Sequence, residues 1–373
     1  MLSKNNLTLL HLLLIPGVGP ATVFKILKLL NTTPNLDLSL LYSKTSSWFK
    51  FEVGLSENIV HAICSGLANQ KILADEVELI QKNNVAIITI LDEAYPKDLA
   101  NSYLPPTVLY CTGLPLSSYE KKIAIVGSRK AGVYSERVLE KFTPALIENN
   151  WTIVSGGALG VDTMAHESAI EFGGKTIAVL GSGLLELYPS ENKKLFFKIE
   201  SGFGTLVSIF PLTTKPFKNN FPARNRVISG LSSGCLVVQA AQKSGALITA
   251  KYALDHGRQV FAVPGSIFDE LSIGCHELIL DGAKVVFNVQ HLLEEFGEHS
   301  IEKVNNVSNV TIEKNINSPK INDPLVDALA EAMSIDELSL ALSVEVSFLH
   351  EKLFELQLEG KVEQGFTGLW KRI

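Results

Sequence analysis

Basic and aromatic residues alternate in one short segment of the chain, residues 215–226. The segment reads Lys-Pro-Phe-Lys-Asn-Asn-Phe-Pro-Ala-Arg-Asn-Arg. Cations bind phosphates and flat rings stack on bases, so this combination suits a single-stranded nucleic acid. Arg224 and Arg226 bracket Asn225 at the start of an apolar segment, which would present guanidinium and amide groups together. The alternative is a solvated loop that buries one phenylalanine. We favour binding, because an arginine directly before a buried helix needs a partner.

Five short loops rich in glycine and serine form a second group of candidates. They are Gly127-Ser-Arg129, Ser155-Gly-Gly157, Gly181-Ser-Gly183, Ser244-Gly245 and Pro264-Gly265. Glycine lets backbone amides approach an anion closely, and a helix that follows directs the positive end of its dipole to the same place. Tight strand-to-helix turns need glycine as well. One such loop is therefore weak evidence, whereas five on one sheet predict a ligand that bears phosphate.

Enzymatic alternatives find little support in the motifs. Residues 127–132 begin like a phosphate-binding P-loop, but Val133-Tyr134 stand where Lys-Ser or Lys-Thr is required, and the loop is not G-x-G-x-x-G either. Asp162 and His166, one helical turn apart, could ligate a metal or act as an acid/base pair. Without a third ligand such a pair is more often a structural hydrogen bond. We predict no catalytic residue, metal or nucleotide cofactor.

Six apolar runs predict the strands that must position these loops. They cover residues 123–126, 152–154, 176–180, 205–209, 236–238 and 260–263, and shorter β-rich runs occur at 85–90 and 108–110. The six runs are continuous rather than alternating, as in parallel strands buried on both faces. Helix-like segments fill most of the gaps, which predicts a doubly wound α/β domain. Its ligand crevice should lie at the carboxyl ends of the strands.

Helical segments flank this predicted sheet domain. Two short helices around Pro16-Gly-Val-Gly-Pro20 resemble a helix-hairpin-helix, although a plain helical hairpin is favoured because only Lys25 and Lys28 lie nearby. Residues 301–323 contain six asparagines and no apolar period, which is typical of a linker. Three helices and a two-stranded ribbon after residue 324 resemble a winged helix. We predict domains at 1–80, 81–295 and 324–373, with a linker at 296–323.

The charge is distributed unevenly along the chain. In total, 33 Lys+Arg stand against 39 Asp+Glu, a net charge of −6, which excludes binding of nucleic acid through bulk charge. Residues 121–290 hold 18 basic and 14 acidic side chains, net +4, whereas residues 324–373 hold 4 and 9, net −5. A polyanion should therefore bind the middle segment. For the acidic C-terminal segment we predict a protein contact or a regulatory role.

Hydropathy and cysteine spacing set the broad class. The hydrophobic share of 46% argues against disorder, and no apolar run approaches the roughly 20 residues that a membrane helix needs. The four cysteines form no CxxC pair, so we expect reduced thiols rather than a zinc site or a disulfide framework. The apolar start of the chain is interrupted by His11 and lacks a cleavage site of small residues. We predict a cytoplasmic protein without a membrane contact.

Several of these motifs together resemble the DNA-processing protein A family, also called Smf. In order they are Ile125-Val-Gly-Ser-Arg129, Ser155-Gly-Gly-Ala-Leu-Gly-Val-Asp162 with His166, Thr176-Ile-Ala-Val-Leu-Gly181 with Tyr188-Pro189, Phe221-Pro-Ala-Arg-Asn-Arg226 with Ser229-Gly-Leu231, Ser244-Gly-Ala-Leu-Ile-Thr249 and Gly257-Arg-Gln-Val-Phe-Ala-Val-Pro-Gly265. The resemblance covers most of residues 85–290. It implies an extended Rossmann-like fold with an N-terminal helical domain, of helix-hairpin-helix or SAM-like type, and a C-terminal winged helix.

The resemblance also implies a function and partners. Family members bind single-stranded DNA, form homodimers, and load the recombinase RecA onto incoming strands during natural transformation, displacing single-strand-binding protein; none of this is enzymatic. By motif, Arg129 and Lys218 would contact phosphates, and Phe221 would stack on a base or form a wall. The other residues carried over are Arg224, Asn225 and Arg226 in the same pocket, the amide donors Ser128, Gly156, Gly157, Ser244 and Gly245, and Lys251 as a weaker candidate. A solvent-facing apolar edge of the α/β domain is the expected dimer interface.

Three positions depart from the family pattern, and two other functions remain open. Leu159 stands where the family commonly has arginine, and Ile209 and Gln239 where it has glutamate. These changes remove a cation and two carboxylates from the expected pocket region. The first alternative is a nucleotide-processing hydrolase on a related scaffold, although Pro264-Gly265-Ser266 lacks the Gly-Thr of that class. The second is a small-nucleotide sensor, which would not need cations interleaved with phenylalanine.

Overall fold

The computed structural model describes residues 2–30 and 36–297, and from the C-terminal part residues 325, 328–329, 333–342, 344, 346–358, 360–364 and 369–372. The chain divides into two compact units, Met1–Glu302 and Lys303–Ile373. Almost all of the predicted linker, 296–323, lies outside the described residues. Within the described ranges, every helix is too short or too polar to cross a membrane.

A nine-stranded sheet forms the centre of the first unit. Its strands are β1 (Ala86–Thr89), β2 (Val108–Gly113), β3 (Lys121–Val126), β4 (Trp151–Ser155), β5 (Thr176–Val179), β6 (Gly204–Ser208), β7 (Gly234–Val237), β8 (Gln259–Ala262) and β9 (Lys284–Val285). They are ordered β1-β2-β6-β5-β4-β3-β7-β8-β9. Strands β3 to β9 are all parallel, and β1 and β2 are antiparallel additions beside β6. The six strands predicted from the apolar runs are confirmed.

Helices cover both faces of the parallel part of the sheet. They are α6 (Val133–Glu148), α7 (Val161–Glu171), α8 (Lys193–Lys198), α9 (Asn220–Leu231), α10 (Gly245–Asp255), α11 (Ile273–Leu280) and α12 (Val289–Glu295). Alternate residues of β3 enter separate cores. Ile123 and Ile125 pack with residues of α6 and α7, whereas Ala124 and Val126 pack with residues of α9 and α10. Apolar side chains are needed on both faces, which explains the continuous apolar runs and confirms the doubly wound fold.

The strand order reverses at β3. The chain proceeds from β3 through β4 and β5 to β6 on one side, and then returns to place β7, β8 and β9 on the other side. The register pairs Ile123 with Ile153 of β4 and Ile125 with Leu236 of β7. The connections that leave β3 and β7 must therefore diverge to opposite faces. Such a point opens a crevice at the carboxyl ends of the strands.

Five helices precede β3 in the chain; the first four share an apolar core with the antiparallel side of the sheet, whereas the fifth packs on α9. They are α1 (Lys4–Leu14), α2 (Pro20–Leu30), α3 (Glu57–Ala68), α4 (Gln70–Lys82) and α5 (Lys97–Ala100). The two helices predicted around the Pro-Gly-Val-Gly-Pro turn are confirmed, and Gly17 in that turn has a positive φ of 83°. Leu9 and Ile63 of these helices share one apolar core with Tyr110 and Leu180 of the sheet region. A buried Glu76 side chain adds a polar link, since its Oε1 accepts a hydrogen bond of 2.9 Å from the backbone of Leu212.

The second unit contains two described helices, Ile335–Leu342 and Val346–Leu358, and the antiparallel strands β10 (Val362–Gln364) and β11 (Trp370–Arg372). Its apolar core includes Leu338, Leu353 and Trp370. An isolated bridge between Met333 and Trp370 extends the ribbon. Most of the first helix predicted for this segment lies outside the described residues. The remaining elements agree with the predicted winged helix.

Candidate functional site

A crevice of about 1210 Å³ opens where the strand order reverses. Four segments contribute most of its lining: the loop after β3, the beginning of α9, the beginning of α10 with the loop before it, and the loop after β8. All four follow the carboxyl ends of parallel strands. The topology therefore brings together segments that are far apart in the sequence, as predicted from the apolar runs.

Most of the predicted site residues meet in this crevice. Those that line it are Ser128, Arg129, Lys218, Phe221, Arg224, Asn225, Ser244 and Gly245. Gly156 lies beside an adjoining cavity of about 50 Å³ that Arg129, Phe221 and Arg224 also line. Gly157, Arg226 and Lys251 line neither cavity. Gly157 instead lets the loop after β4 pack against Phe196, and Lys251 is exposed on the second turn of α10.

The position of Arg226 corrects one expectation. Helix α9 begins at Asn220, so Arg224 and Arg226 both lie inside it rather than before it. Residues two apart on an α-helix are separated by about 200° and face different sides. Arg224 faces the crevice, whereas the Arg226 charge acts on Tyr95 and His256. The two guanidinium groups are therefore not presented together.

Arg224 forms a buried ion pair with Asp162. Arg224 is only 4% exposed, and its Nη1 lies 3.8 Å from Asp162 Oδ2. The same oxygen accepts hydrogen bonds from the backbone N–H of Gly156 at 3.2 Å and of Ala158 at 3.3 Å. Burial raises the pKa of Asp162 and lowers that of Arg224, and each partner opposes the shift of the other. The Gly156 amide, expected to donate to phosphate, is thus already used by Asp162.

Two guanidinium groups lie close to the Phe221 ring. The guanidinium carbon of Arg129 is 5.5 Å from the ring centroid, and that of Arg224 is 5.8 Å away. The Tyr188 ring packs beside it at a centroid distance of 6.0 Å. On another side the ring approaches Gly181 so closely that a Cβ there would lie 2.8 Å from it. Phe221 therefore has a fixed position, as a half-buried ring with cations beside it.

The N-terminus of α10 forms another side of the crevice. Ser244 caps this helix, its Oγ accepting from the Ala246 N–H at 3.3 Å. Asn225 connects α9 to the same end, since its Nδ2 donates to the Gly245 carbonyl at 3.3 Å. Lys243, directly before the cap, has a positive φ of 62°, a backbone conformation that residues other than glycine adopt at some cost. The positive end of the helix dipole and the Lys243 charge thus face the same space.

Several lining residues were missed by the sequence analysis. They are Lys130, Tyr188, Lys243 and Phe268. Tyr188 belongs to a motif that was recognised, but no role in the site was predicted for it. The other three adjoin or follow recognised motifs, so their position relative to the strand ends was the available signal. Together with Arg129 and Lys218, the two lysines give four exposed cations in the lining. Asp162, in contrast, is neutralised by Arg224.

Asp162 and His166 do not form the pair on which the hydrolase alternative depends. His166 is buried, and its Nδ1 lies 2.6 Å from the Thr176 hydroxyl. Burial lowers the pKa of His166 to about 3, so it is neutral near pH 7. Asp162 is occupied by Arg224 and two amides. Among the described residues, no group of three or more His, Cys, Asp and Glu side chains is placed to hold a metal ion.

The three departures from the family pattern lie in different environments. Leu159 is exposed and lines the small cavity beside Arg129. Ile209 packs on the apolar core beneath α9 and α10. Gln239 is buried and forms hydrogen bonds with Ser135 and Asp269. A leucine at position 159 therefore replaces polar contact surface at the crevice with apolar surface.

Residues 86–297 match the family model described as DNA recombination-mediator protein A, which is more than half of the chain. The chain belongs to this family. The matched residues include β1 to β9 and all of the crevice lining, so the recombination-mediator family assignment applies to the part of the molecule that forms the site. The resemblance inferred from the motifs is confirmed.

Relatives of this recombination-mediator family agree over the same part. The chain is 47% identical to the DNA processing protein DprA of Streptococcus pneumoniae over 209 residues, 56% of this chain and 73% of that protein. It is 42% identical to that of Bacillus subtilis over 223 residues, 60% and 75% of the two chains. The X-ray structure of the Streptococcus pneumoniae protein matches with a TM-score of 0.69 and 36% identity, covering 78% of this chain and 98% of that one.

A second similar structure, of DNA processing protein A from Helicobacter pylori, describes how that protein binds single-stranded DNA. Its TM-score is 0.51 at 32% identity, and the match covers 57% of this chain and 95% of that one. The extended Rossmann-like fold expected for this chain is therefore confirmed by two structures of the family.

The close approach of Gly156 to Arg224 gives a test of the buried ion pair. An ideal Cβ on Gly156 would lie 1.2 Å from Arg224 Nη1, so Gly156→Ala must displace the guanidinium from Asp162. We expect the free energy of unfolding to fall by about 2 kcal/mol or more, measured by urea denaturation. Gly245→Ala is the matched control, because nothing lies within 4 Å of its ideal Cβ. Equal urea midpoints for Gly156→Ala and the wild type would contradict the close packing.

Proposed function

We propose that this chain is a non-catalytic, cytoplasmic recombination mediator that binds single-stranded DNA in the crevice and loads a RecA-type recombinase onto it as a homodimer. The observation that carries the proposal is the crevice itself, whose lining combines the exposed cations of Arg129, Lys130, Lys218 and Lys243 with the Phe221 ring. Cations for phosphates beside a ring for bases are what a single strand requires. The DNA binding described for the Helicobacter pylori relative supports the ligand, and the family description supports the mediator role.

The size of the crevice favours a polymer over a small ligand. Its volume of about 1210 Å³ exceeds the roughly 300–1,000 Å³ of typical small-molecule sites. The cations come from three separate segments of the chain, the loop after β3, the segment before α9 and the segment before α10. Distributed cations suit a ligand with repeated phosphates better than a mononucleotide with one phosphate group. A small-nucleotide sensor is therefore the weaker alternative.

The binding proposal predicts length-dependent and salt-sensitive affinity for oligo-dT, measured by fluorescence anisotropy. Replacing two cations, in Arg129→Ala/Lys218→Ala, should make the slope of log K against log salt less steep by about 1.4, since each phosphate contact on a single strand contributes about 0.7. The matched control is Lys175→Ala/Lys198→Ala. Both lysines lie beside Phe203, near the amino ends of β5 and β6, at the opposite edge of the sheet. The control should bind like the wild type.

The same three proteins separate DNA binding from recombinase loading. RecA ATPase is started on a strand coated with single-strand-binding protein, and the lag before steady hydrolysis is measured. The wild type and the control should shorten the lag, and Arg129→Ala/Lys218→Ala should not. A wild type that binds oligo-dT but leaves the lag unchanged would refute the mediator role alone. A wild type that binds no oligo-dT of any length would refute the whole proposal and direct attention to nucleotide hydrolysis.

The homodimer is expected at the free edge of β9. This strand ends the sheet, so one side of its backbone pairs with no strand of the described chain. Three exposed apolar side chains lie close to this strand in the sequence: Leu280 at the end of α11, Val285 within β9 and Phe287 two residues after it. Unpaired edges and contiguous apolar side chains are surfaces that proteins cover. A second copy of the chain supplies the same edge in a two-fold arrangement.

A charge placed on this edge tests the dimer. Leu280 is 86% exposed, so Leu280→Glu costs the folded monomer little, but it would bury a carboxylate in the proposed interface. We expect the variant to sediment as a monomer at concentrations where the wild type is a dimer. Phe51→Glu is the control, since Phe51 is 73% exposed on the N-terminal helical region. A dimeric Leu280→Glu variant would place the interface elsewhere.

A further inference from the structure

The loop after β8, residues 264–272, is closed at its base. Gly265 approaches Ser272 so closely that a Cβ on the glycine would lie 2.0 Å from Ser272 Oγ. The backbone N–H of Ser272 donates to the Asp269 carbonyl at 2.9 Å. From outside the loop, the Tyr134 hydroxyl donates to the Pro264 carbonyl. The loop therefore has a fixed base at the crevice, close to the carboxyl end of β8.

Gln239 connects this loop to the sheet through hydrogen bonds. It follows β7, is buried, and donates from Nε2 to Asp269 Oδ2 at 2.9 Å. Its Oε1 accepts from the Ser135 hydroxyl of α6. Asp269 also accepts from the Leu271 N–H at 2.9 Å and from the Ser272 hydroxyl at 3.0 Å. An amide at position 239 is required for this arrangement, because a carboxylate there would have no proton to give Asp269 at neutral pH.

The tip of the loop exposes two large apolar side chains. Ile267 is 78% exposed and Phe268 is 91% exposed. Of the two, only Phe268 lines the crevice. Its neighbour Glu270 is exposed and lines the crevice as well. The exposed Glu270 carboxylate on this side of the crevice repels phosphates, whereas the Phe268 ring offers a flat surface to bases. The cations of the crevice come from other segments.

We propose that Phe268 stacks on a base of the bound strand, and that Gln239 is the positioning residue that holds Phe268 in place through Asp269. This inference rests on the proposed function and adds to it the orientation of the bound strand in the crevice. The phosphates lie toward Arg129 and Lys218, and bases turn toward the loop after β8. Every base has a flat face, so the contact is independent of DNA sequence.

Oligonucleotides with and without bases test the contact. Phe268→Ala, Ile267→Ala and the wild type are titrated with oligo-dT and with an abasic oligonucleotide of the same length, which keeps the phosphates. Phe268→Ala should bind oligo-dT roughly tenfold more weakly, as expected for one lost stacking contact. Its affinity for the abasic strand and its salt slope should equal those of the wild type. Ile267→Ala, the matched control, should bind both strands normally.

A donor–acceptor exchange tests the positioning role of Gln239. Gln239→Glu places a carboxylate against Asp269, removes the hydrogen bond and should reproduce the loss on oligo-dT but not on the abasic strand. Gln239→Glu/Asp269→Asn restores one donor and one acceptor in exchanged positions, and should recover the affinity. A purely structural role for Gln239 would change the urea midpoint without distinguishing the two oligonucleotides.

The outcomes separate this inference from the function on which it rests. If the wild type binds no oligo-dT, the proposed function fails and the inference fails with it. If the wild type binds and Arg129→Ala/Lys218→Ala weakens it, but Phe268→Ala matches the wild type on both strands, only the inference is overturned. Equal losses on both strands would also overturn it, because the loop would then contact the backbone. A Phe268→Ala variant that sediments as a monomer would assign the loop to an interface between copies instead.

Discussion

The ion pair between Arg224 and Asp162 determines how the crevice is built. Two charges buried at the carboxyl ends of the strands are stable only when they face each other and are hydrogen-bonded further. Asp162 meets this requirement by holding Arg224 and the amides of Gly156 and Ala158, which fixes the loop after β4. Arg224 in turn fixes the orientation of α9, and with it the Phe221 ring. Gly156 is required because the guanidinium occupies the space of a Cβ.

Because the charges of this pair are buried, the exposed charges of the crevice come from other residues. A chain with a net charge of −6 can bind a polyanion only where its cations are concentrated and its anions are neutralised. Arg129, Lys130, Lys218 and Lys243 are exposed there, and the α10 N-terminus faces the same space. The loop after β8 is different, with an aromatic ring and an exposed carboxylate. The crevice thus has one side suited to phosphates and another suited to bases, which a single strand presents on opposite sides of its chain.

The sequence predicted the parts of this account that depend on local pattern. Continuous apolar runs identified the six parallel strands, and the rule for reversed strand order placed the crevice. It could not predict which way each arginine faces, because that depends on α9 beginning as early as Asn220, and the N-cap residue Asn219 forms no side-chain capping hydrogen bond that would mark the start. The use of the Gly156 amide by Asp162 and the exposure of Phe268 depend on contacts between segments distant in sequence. Those contacts exist only once the sheet is assembled.

In the arrangement proposed above, a single strand lies in the crevice with its bases toward Phe268. Photocrosslinking of oligo-dT that carries 5-iodouracil, followed by mass spectrometry of the crosslinked peptides, tests it most directly, because the reagent reports which side chains lie against the bases. We expect crosslinks to the peptide that contains Phe268, and their loss on competition with unlabelled oligo-dT. Crosslinks confined to the N-terminal helices or to the second unit, Lys303–Ile373, would contradict it.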